Sequence, residues 1–253
     1  MIGKNRDNMP DLDSFYIKIA DITVEMRHKY AFTRQFCRDY VTDGVNGADI
    51  IASASPTEVK AESQLYGTPH SEGYCENICL YRSIAEQIPF LDRFVFHGAA
   101  VAIDGVGFIF AAPSGTGKTT HVRLLMNNFC DRVSIINGDK PIISLAGDKA
   151  TVCSTPWAGK EKWHANTSAE LGGICLLKRG SQNSIKRISP AEYFDEMIRQ
   201  VYIPKDTRAM EKTLELLDRL SSRISFYLLE CDISDDAAKT SFDMLSEDII
   251  KAP

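Results

Sequence analysis

Residues 107–122 read GFIFAAPSGTGKTTHV, and this stretch limits the architecture of the chain more tightly than any other. An apolar run passes through a turn of glycine and hydroxyl residues into a segment with Val122, Leu125, Met126 and Phe129 on one face. That pattern describes a buried strand, a tight loop and an amphipathic helix, predicted over 118–129. Such a unit needs a sheet to receive the strand and helices to cover it, so an α/β core follows. The loop departs from the strict GxxxxGK[ST] pattern because Ala112 stands where the first glycine belongs. Pro113 biases Ala112 toward an extended backbone that alanine adopts without strain, so the entry to the loop changes and its cradle does not. Residues Pro113, Ser114, Gly115, Thr116, Gly117, Lys118, Thr119 and Thr120 form that cradle. Backbone N–H groups there wrap phosphate oxygens, Lys118 reaches the β and γ phosphates, and Thr119 offers a hydroxyl to Mg²⁺.

The run before the loop, FVFHGAAVAIDGVGFIFAA, carries Asp104-Gly105 between two apolar segments. This is a strong local signal for a two-residue hairpin, with Ile103 opposite Val106. Counting outward places His97 opposite Ala112, beside the loop, where it is expected within hydrogen-bond range of an acidic partner. RVSIINGDKPIISL supplies that partner: a short strand over 133–136 ends just before Asp139, at the sheet edge where α/β proteins bind ligands. Asp139 is therefore the candidate metal ligand or proton acceptor, set against the alternative of a plain turn in NGDKP.

The chain has 253 residues, 44% of them hydrophobic and 25% charged, with a formal net charge of -5 and no long like-charge block. This argues for an ordinary globular protein and against a nucleic-acid partner. No apolar run approaches a membrane span and the opening residues are polar, so no membrane association is expected and the cytoplasm is the expected location. Seven scattered cysteines suit reduced thiols better than a disulfide framework, and Cys75 and Cys79 have no partner pair with zinc-site spacing.

The character of the chain changes near Asp92, giving a smaller N-terminal α+β region over 1–92 and the α/β domain over 93–253. SFYIKIADITVEMR reads as one or two strands, and GYCENICLYRSIAEQI as a helix closed by Pro89. Further helices are predicted over 190–201, 207–220 and 235–250, with Ser189 and Ser234 as caps of the first and last, and a strand over SFYLLEC.

FHGAAVAIDGVGFIFAAPSGTGKTTHV, followed by INGDKP and TPWAGKE, resembles the catalytic domain of HPr kinase/phosphorylase and its relatives. That group is structurally related to PEP carboxykinase and includes the kinases of lasso-peptide precursors. The resemblance covers about 94–180. It implies a PEP carboxykinase-like P-loop core with a mixed sheet and flanking helices, and an ATP- and Mg²⁺-dependent transfer to a hydroxyl acceptor. The family histidine corresponds to His97, its loop lysine to Lys118 and the following hydroxyl residue to Thr119. Where the family has two adjacent aspartates, this chain has Gly138 and Asp139. The resemblance also implies that the loop STPWAGKEKW lies near the active site, with Lys160 meeting phosphate, Glu161 joining the metal shell and Trp157 facing substrate. The residues themselves equally allow Trp157 and Trp163 to be apolar anchors. Among Arg179, Arg199 and Arg208 the pattern makes no choice.

Together these features point to a kinase acting on a serine of a protein or peptide, or on a small molecule, with the homo-oligomeric state open. The alternative is a nucleotide-binding module that hydrolyses without an acceptor. PEP carboxykinase chemistry is disfavoured, since no second carboxylate-rich site is evident.

Overall fold

The computed structural model describes residues 12–44, 47–65, 70–113 and 115–251. They fall into two compact units, Met1–Ile84 and Ala85–Pro253. The division lies within a helix that Pro89 then closes, ahead of the change of character read at Asp92.

In the first unit β1 (Asp13–Ile19) and β2 (Ile22–His28) pair antiparallel in register Ile19 to Ile22. Ala20 and Asp21 turn the chain between them at φ 48° and 60°. Alternation decides the faces: Phe15, Ile17 and Ile19 on β1 and Val24 and Met26 on β2 are buried. The helix α1 (Ala31–Phe36) leads to β3 (Val41–Thr42), β4 (Ile50–Ala52), α2 (Pro56–Ser63) and α3 (Glu72–Gln87), and the sheet runs β3-β1-β2-β4. Ser55 and Glu58 close a reciprocal cap on α2. Cys75 and Cys79 pack with Val59 as small apolar residues, and all seven cysteines are free thiols, with only Cys130 exposed.

In the second unit the end of α3 runs into a 3-10 turn, Ile88–Leu91, and Asp92 lies in the left-handed region at φ 58°. Its elements are β5 (Arg93–Val95), β6 (Ala99–Ile103), β7 (Val106–Ala111), α4 (Lys118–Asn128), β8 (Val133–Asn137), β9 (Ile142–Ser144), β10 (Thr151–Cys153), β11 (Ser168–Arg179), β12 (Ser184–Ile188), α5 (Pro190–Ile198), α6 (Thr207–Ser221), β13 (Ser225–Cys231) and α7 (Asp235–Lys251). A nine-stranded mixed sheet runs β5-β9-β10-β11-β7-β6-β8, with β13 also on β11 and β12 on β13. Helices flank both faces. Ile109 and Ala111 of β7 join a core with Tyr193, Met197, Leu216 and Leu220 of α5 and α6. Phe108 and Phe110 join one with Val122, Leu125, Phe242 and Leu245 of α4 and α7. A strand buried on both faces must be apolar throughout, which is what made FIFAA conspicuous.

The Asp104-Gly105 hairpin forms as expected, with Ile103 opposite Val106 and φ of 48° and 85° at the turn. Arg132 fixes it with a bidentate contact, Nε to Asp104 Oδ1 at 2.8 Å and Nη2 to Oδ2 at 2.6 Å. The count beyond it fails at His97. The β6–β7 ladder ends at the Ala99–Phe110 pair. Phe96 instead bridges Val201, and His97 N donates to Gln200 O at 2.6 Å, so the chain crosses here from β6 toward β5. The same pairing shortens the helix expected over 190–201 to α5, because a residue bridging in extended geometry cannot also be helical.

β11 carries a bulge. Leu171 opposes Gly107 and Gly173 opposes Phe108, leaving Gly172 unpaired with β7. A Cβ there would come within 2.7 Å of Val106 Cγ1, so the position is closed to larger residues.

Candidate functional site

The loop between β7 and α4 ends on two glycines that the backbone requires, Gly115 at φ 80° and Gly117 at φ 124°. Gly117 is the residue before α4 and offers no capping side chain. The first N–H groups of α4, from Lys118, Thr119 and Thr120, therefore have no partner from a cap, and the positive end of the helix dipole faces out of the loop. Ser114 of the predicted cradle lies outside the described residues. Lys118 and Thr119 are half-buried, while Pro113, Gly115 and Thr120 are exposed. Lys118 Nζ folds back to donate to Ala112 O at 2.7 Å. Burial lowers its pKa, an effect that Lys140 adds to and the nearby charge of Asp139 opposes.

Asp139 sits two residues past β8, on a turn that Asn137 builds. The buried Asn137 Oδ1 accepts from Asp139 N at 2.9 Å and from Lys140 N at 2.8 Å. Its Nδ2 donates to Thr155 O at 2.9 Å, and Thr155 Oγ1 donates to Lys140 O at 2.7 Å. Every polar atom of this amide that the turn needs is satisfied, so the carboxylate is held by the protein before any ligand arrives. His97 Nε2 lies 3.3 Å from Asp139 Oδ1 and Lys140 Nζ 3.3 Å from Oδ2. Burial works to raise the carboxyl's pKa, but these two contacts outweigh it and hold the group below its ordinary value. His97 thus reaches Asp139 as expected, though from the crossover and not from the ladder; Gly98 N donating to Asp139 O at 3.0 Å ties the two segments together.

Gly138 has a steric cause. Its N–H donates to Trp163 O at 2.8 Å, and a Cβ would stand 2.8 Å from Ala158 O and 3.3 Å from Trp163 Cβ. The loop 158–163 occupies the space a second aspartate would need. Gly159 closes the other side, where a Cβ would lie 3.0 Å from Asp139 Cβ. Replacing Gly138 by Asp is therefore expected to destabilise the protein by about 1–3 kcal/mol through overpacking. A thermal melt of Gly138→Asp that matches the native protein would contradict this packing.

Trp157 is 6% exposed and serves as an anchor of that loop, not as a face offered to a ligand. Trp163 is half-buried and holds Arg123 at 5.4 Å from its ring. Lys160 and Glu161 are exposed. Among the described residues no group of three His, Cys, Asp or Glu side chains is placed to hold a metal ion. Of the three arginines left open, Arg199 and Arg208 form exposed surface pairs with Glu196 and Asp206. Arg179 instead ends β11 beside the loop, its Nε donating to Thr116 O at 3.1 Å and its Nη2 to Gly115 O at 2.6 Å.

No protein-family model matches the sequence, and no curated protein matches it. Among solved structures, that of the HPr(Ser) kinase/phosphatase from Coxiella burnetii is similar at 9% identity and a TM-score of 0.39, over 62% of this chain and 91% of that one. Among the described residues no helix is long and apolar enough to cross a membrane.

Proposed function

We propose that the chain is an ATP-dependent phosphotransferase with an HPr kinase-like core, passing a γ-phosphoryl group to a hydroxyl acceptor in the cytoplasm. The observation that carries this reading is the glycine-rich loop itself, whose Gly115 and Gly117 take positive φ and lead into α4 with no capping side chain. A loop lysine at an uncapped helix N-terminus and a carboxylate held by Asn137 at the end of β8 support it, since phosphoryl transfer uses such groups to hold phosphates and act on the nucleophile.

The donor set fits Mg²⁺, which takes one or two carboxylates and completes its shell with water and substrate phosphates. Thr119 and Asp139 would hold it, and the ion would neutralise charge on the β and γ oxygens. The loop amides and Lys118 bind the phosphates, and the bond of Lys118 Nζ to Ala112 O is exchanged for one to phosphate. Asp139, ionised below its ordinary pKa range, is a weak proton acceptor, so its main work is electrostatic. In this reading His97, in contact with Asp139 Oδ1, takes the acceptor's proton. Lys140 adds positive charge on the same side, and the exposed Lys160 and Glu161 border the approach for the acceptor.

Incubation with γ-labelled ATP, Mg²⁺ and host extract tests this. Label is expected on a protein, peptide or small molecule. Label released only as free phosphate would replace the kinase by the hydrolysing module, and no turnover with or without extract would remove both.

A further inference from the structure

Two consecutive carbonyls of the glycine-rich loop converge on one side chain: Arg179 Nη2 donates to Gly115 O at 2.6 Å and Nε to Thr116 O at 3.1 Å. The peptides are trans, and a trans peptide carries its C=O and N–H on opposite sides. Fixing these two oxygens therefore turns the N–H groups of Thr116 and Gly117 away from the guanidinium. Successive amides turned to one side form a concave anion seat. We propose that Arg179 is the positioning residue of the loop, a clamp that aims these amides at phosphate without touching phosphate itself, an assignment that rests on the function proposed above.

The loop needs such a clamp because its own residues do not fix it. Gly115 at φ 80° and Gly117 at φ 124° lie where glycine moves freely, so the peptide planes between them flip at little cost. A flipped plane presents a carbonyl oxygen to an anion and repels it. Thr116 N donates to Pro113 O at 3.2 Å, the long end of the hydrogen-bond range, and this bond is exchanged for one to phosphate when the ligand arrives. Held from behind by Arg179, the plane keeps its direction through that exchange.

β11 places the clamp. Its pairing with β7 ends at Leu176 opposite Ala111, and the strand continues along β13 until Arg179 stands opposite Cys231. Gly180 N donates to Cys231 O at 2.9 Å, so the ladder holds the backbone past Arg179. The planar fork presents Nε and Nη2 at a fixed spacing and meets two carbonyls at once, a geometry that a point-like ammonium does not reproduce. Its charge also offsets the negative ends of the two peptide dipoles beside a site meant for an anion.

Calorimetric titration of the full chain with Mg·ATP and with Mg·tripolyphosphate, which carries neither nucleoside nor acceptor, tests the clamp. Arg179 is exposed, so Arg179→Met and Arg179→Lys leave the core alone. With the unclamped loop competent about one tenth of the time, apparent affinity falls by that factor, so Arg179→Met is expected to bind each ligand about tenfold more weakly than the native protein. Arg179→Lys keeps the charge but not the fork, and is expected to remain about threefold weaker than native. Native affinity in Arg179→Met overturns the clamp and spares the loop; if kcat for labelled transfer falls in the same variant, Arg179 acts on the transferring phosphoryl group. Native affinity in Arg179→Lys reduces the arginine to a charge and overturns the clamp as well. Failure of the native protein to bind either ligand overturns the loop's function, and the clamp with it.

Discussion

Lys118→Ala is expected to lower phosphoryl transfer by two orders of magnitude or more, the scale on which a single charge-stabilising donor acts in a transition state. Lys118 is half-buried at the start of α4, and its ammonium donates to Ala112 O at 2.7 Å. Losing that bond costs about 0.5–1.5 kcal/mol, a small shift in melting temperature. Activity and stability therefore separate: labelled-ATP turnover should collapse while the melt moves by a few degrees. A variant that melts normally and still transfers at native rates would remove the loop from the chemistry.

Asp139→Asn should also cost about two orders of magnitude in rate, because it keeps the shape of the turn and deletes the charge that faces His97 and Lys140. The sign of its pH effect follows from the depressed pKa. The ionised carboxylate contributes stability above its unfolded pKa and loses it as pH falls through the lower folded value. The native protein should thus exceed Asp139→Asn in stability at neutral pH by more than it does in strong acid, as denaturant titrations at the two conditions would show. A constant or widening gap on acidification would mean that His97 and Lys140 do not support the charge. His97→Gln should slow transfer and move its pH profile while nucleotide affinity stays nearly unchanged; normal kinetics in that variant would leave His97 a structural residue of the crossover.

Some of this was legible in local sequence and some was not. The Asp104-Gly105 turn and the strand–loop–helix that follows are fixed by residues close in sequence, and pattern alone finds them. The meeting of His97 and Asp139 was anticipated through a ladder that stops two residues short, because nothing near His97 announces that Val201 will pair with Phe96. Gly138 reads as the loss of a carboxylate until Ala158 and Trp163 arrive from a distant loop to fill its place. Arg179 could not be told from its two rivals because its role depends on β11 lying parallel beside β7, a relation set by a long crossover. The strands β9, β10, β11 and β12 depend on partners distant in sequence in the same way, β10 lying between β9 and β11 and β12 on β13.

The bulge at Gly172 sets the phase of everything beyond it. Before it, Ser168, Ala169 and Glu170 pair with β10, the strand that leads into Thr155 and the Asn137 turn. After it, the same strand runs on beside β7 and delivers Arg179 to the carbonyls of the glycine-rich loop. Side chains alternate with a period of two, so removing that one unpaired residue would turn each later side chain to the opposite face. Arg179 would then point away from the loop while the pairing with β10 stayed as it is. The strand thus works as a single shaft with a fixed angular offset between its ends, and the offset is stored in one glycine.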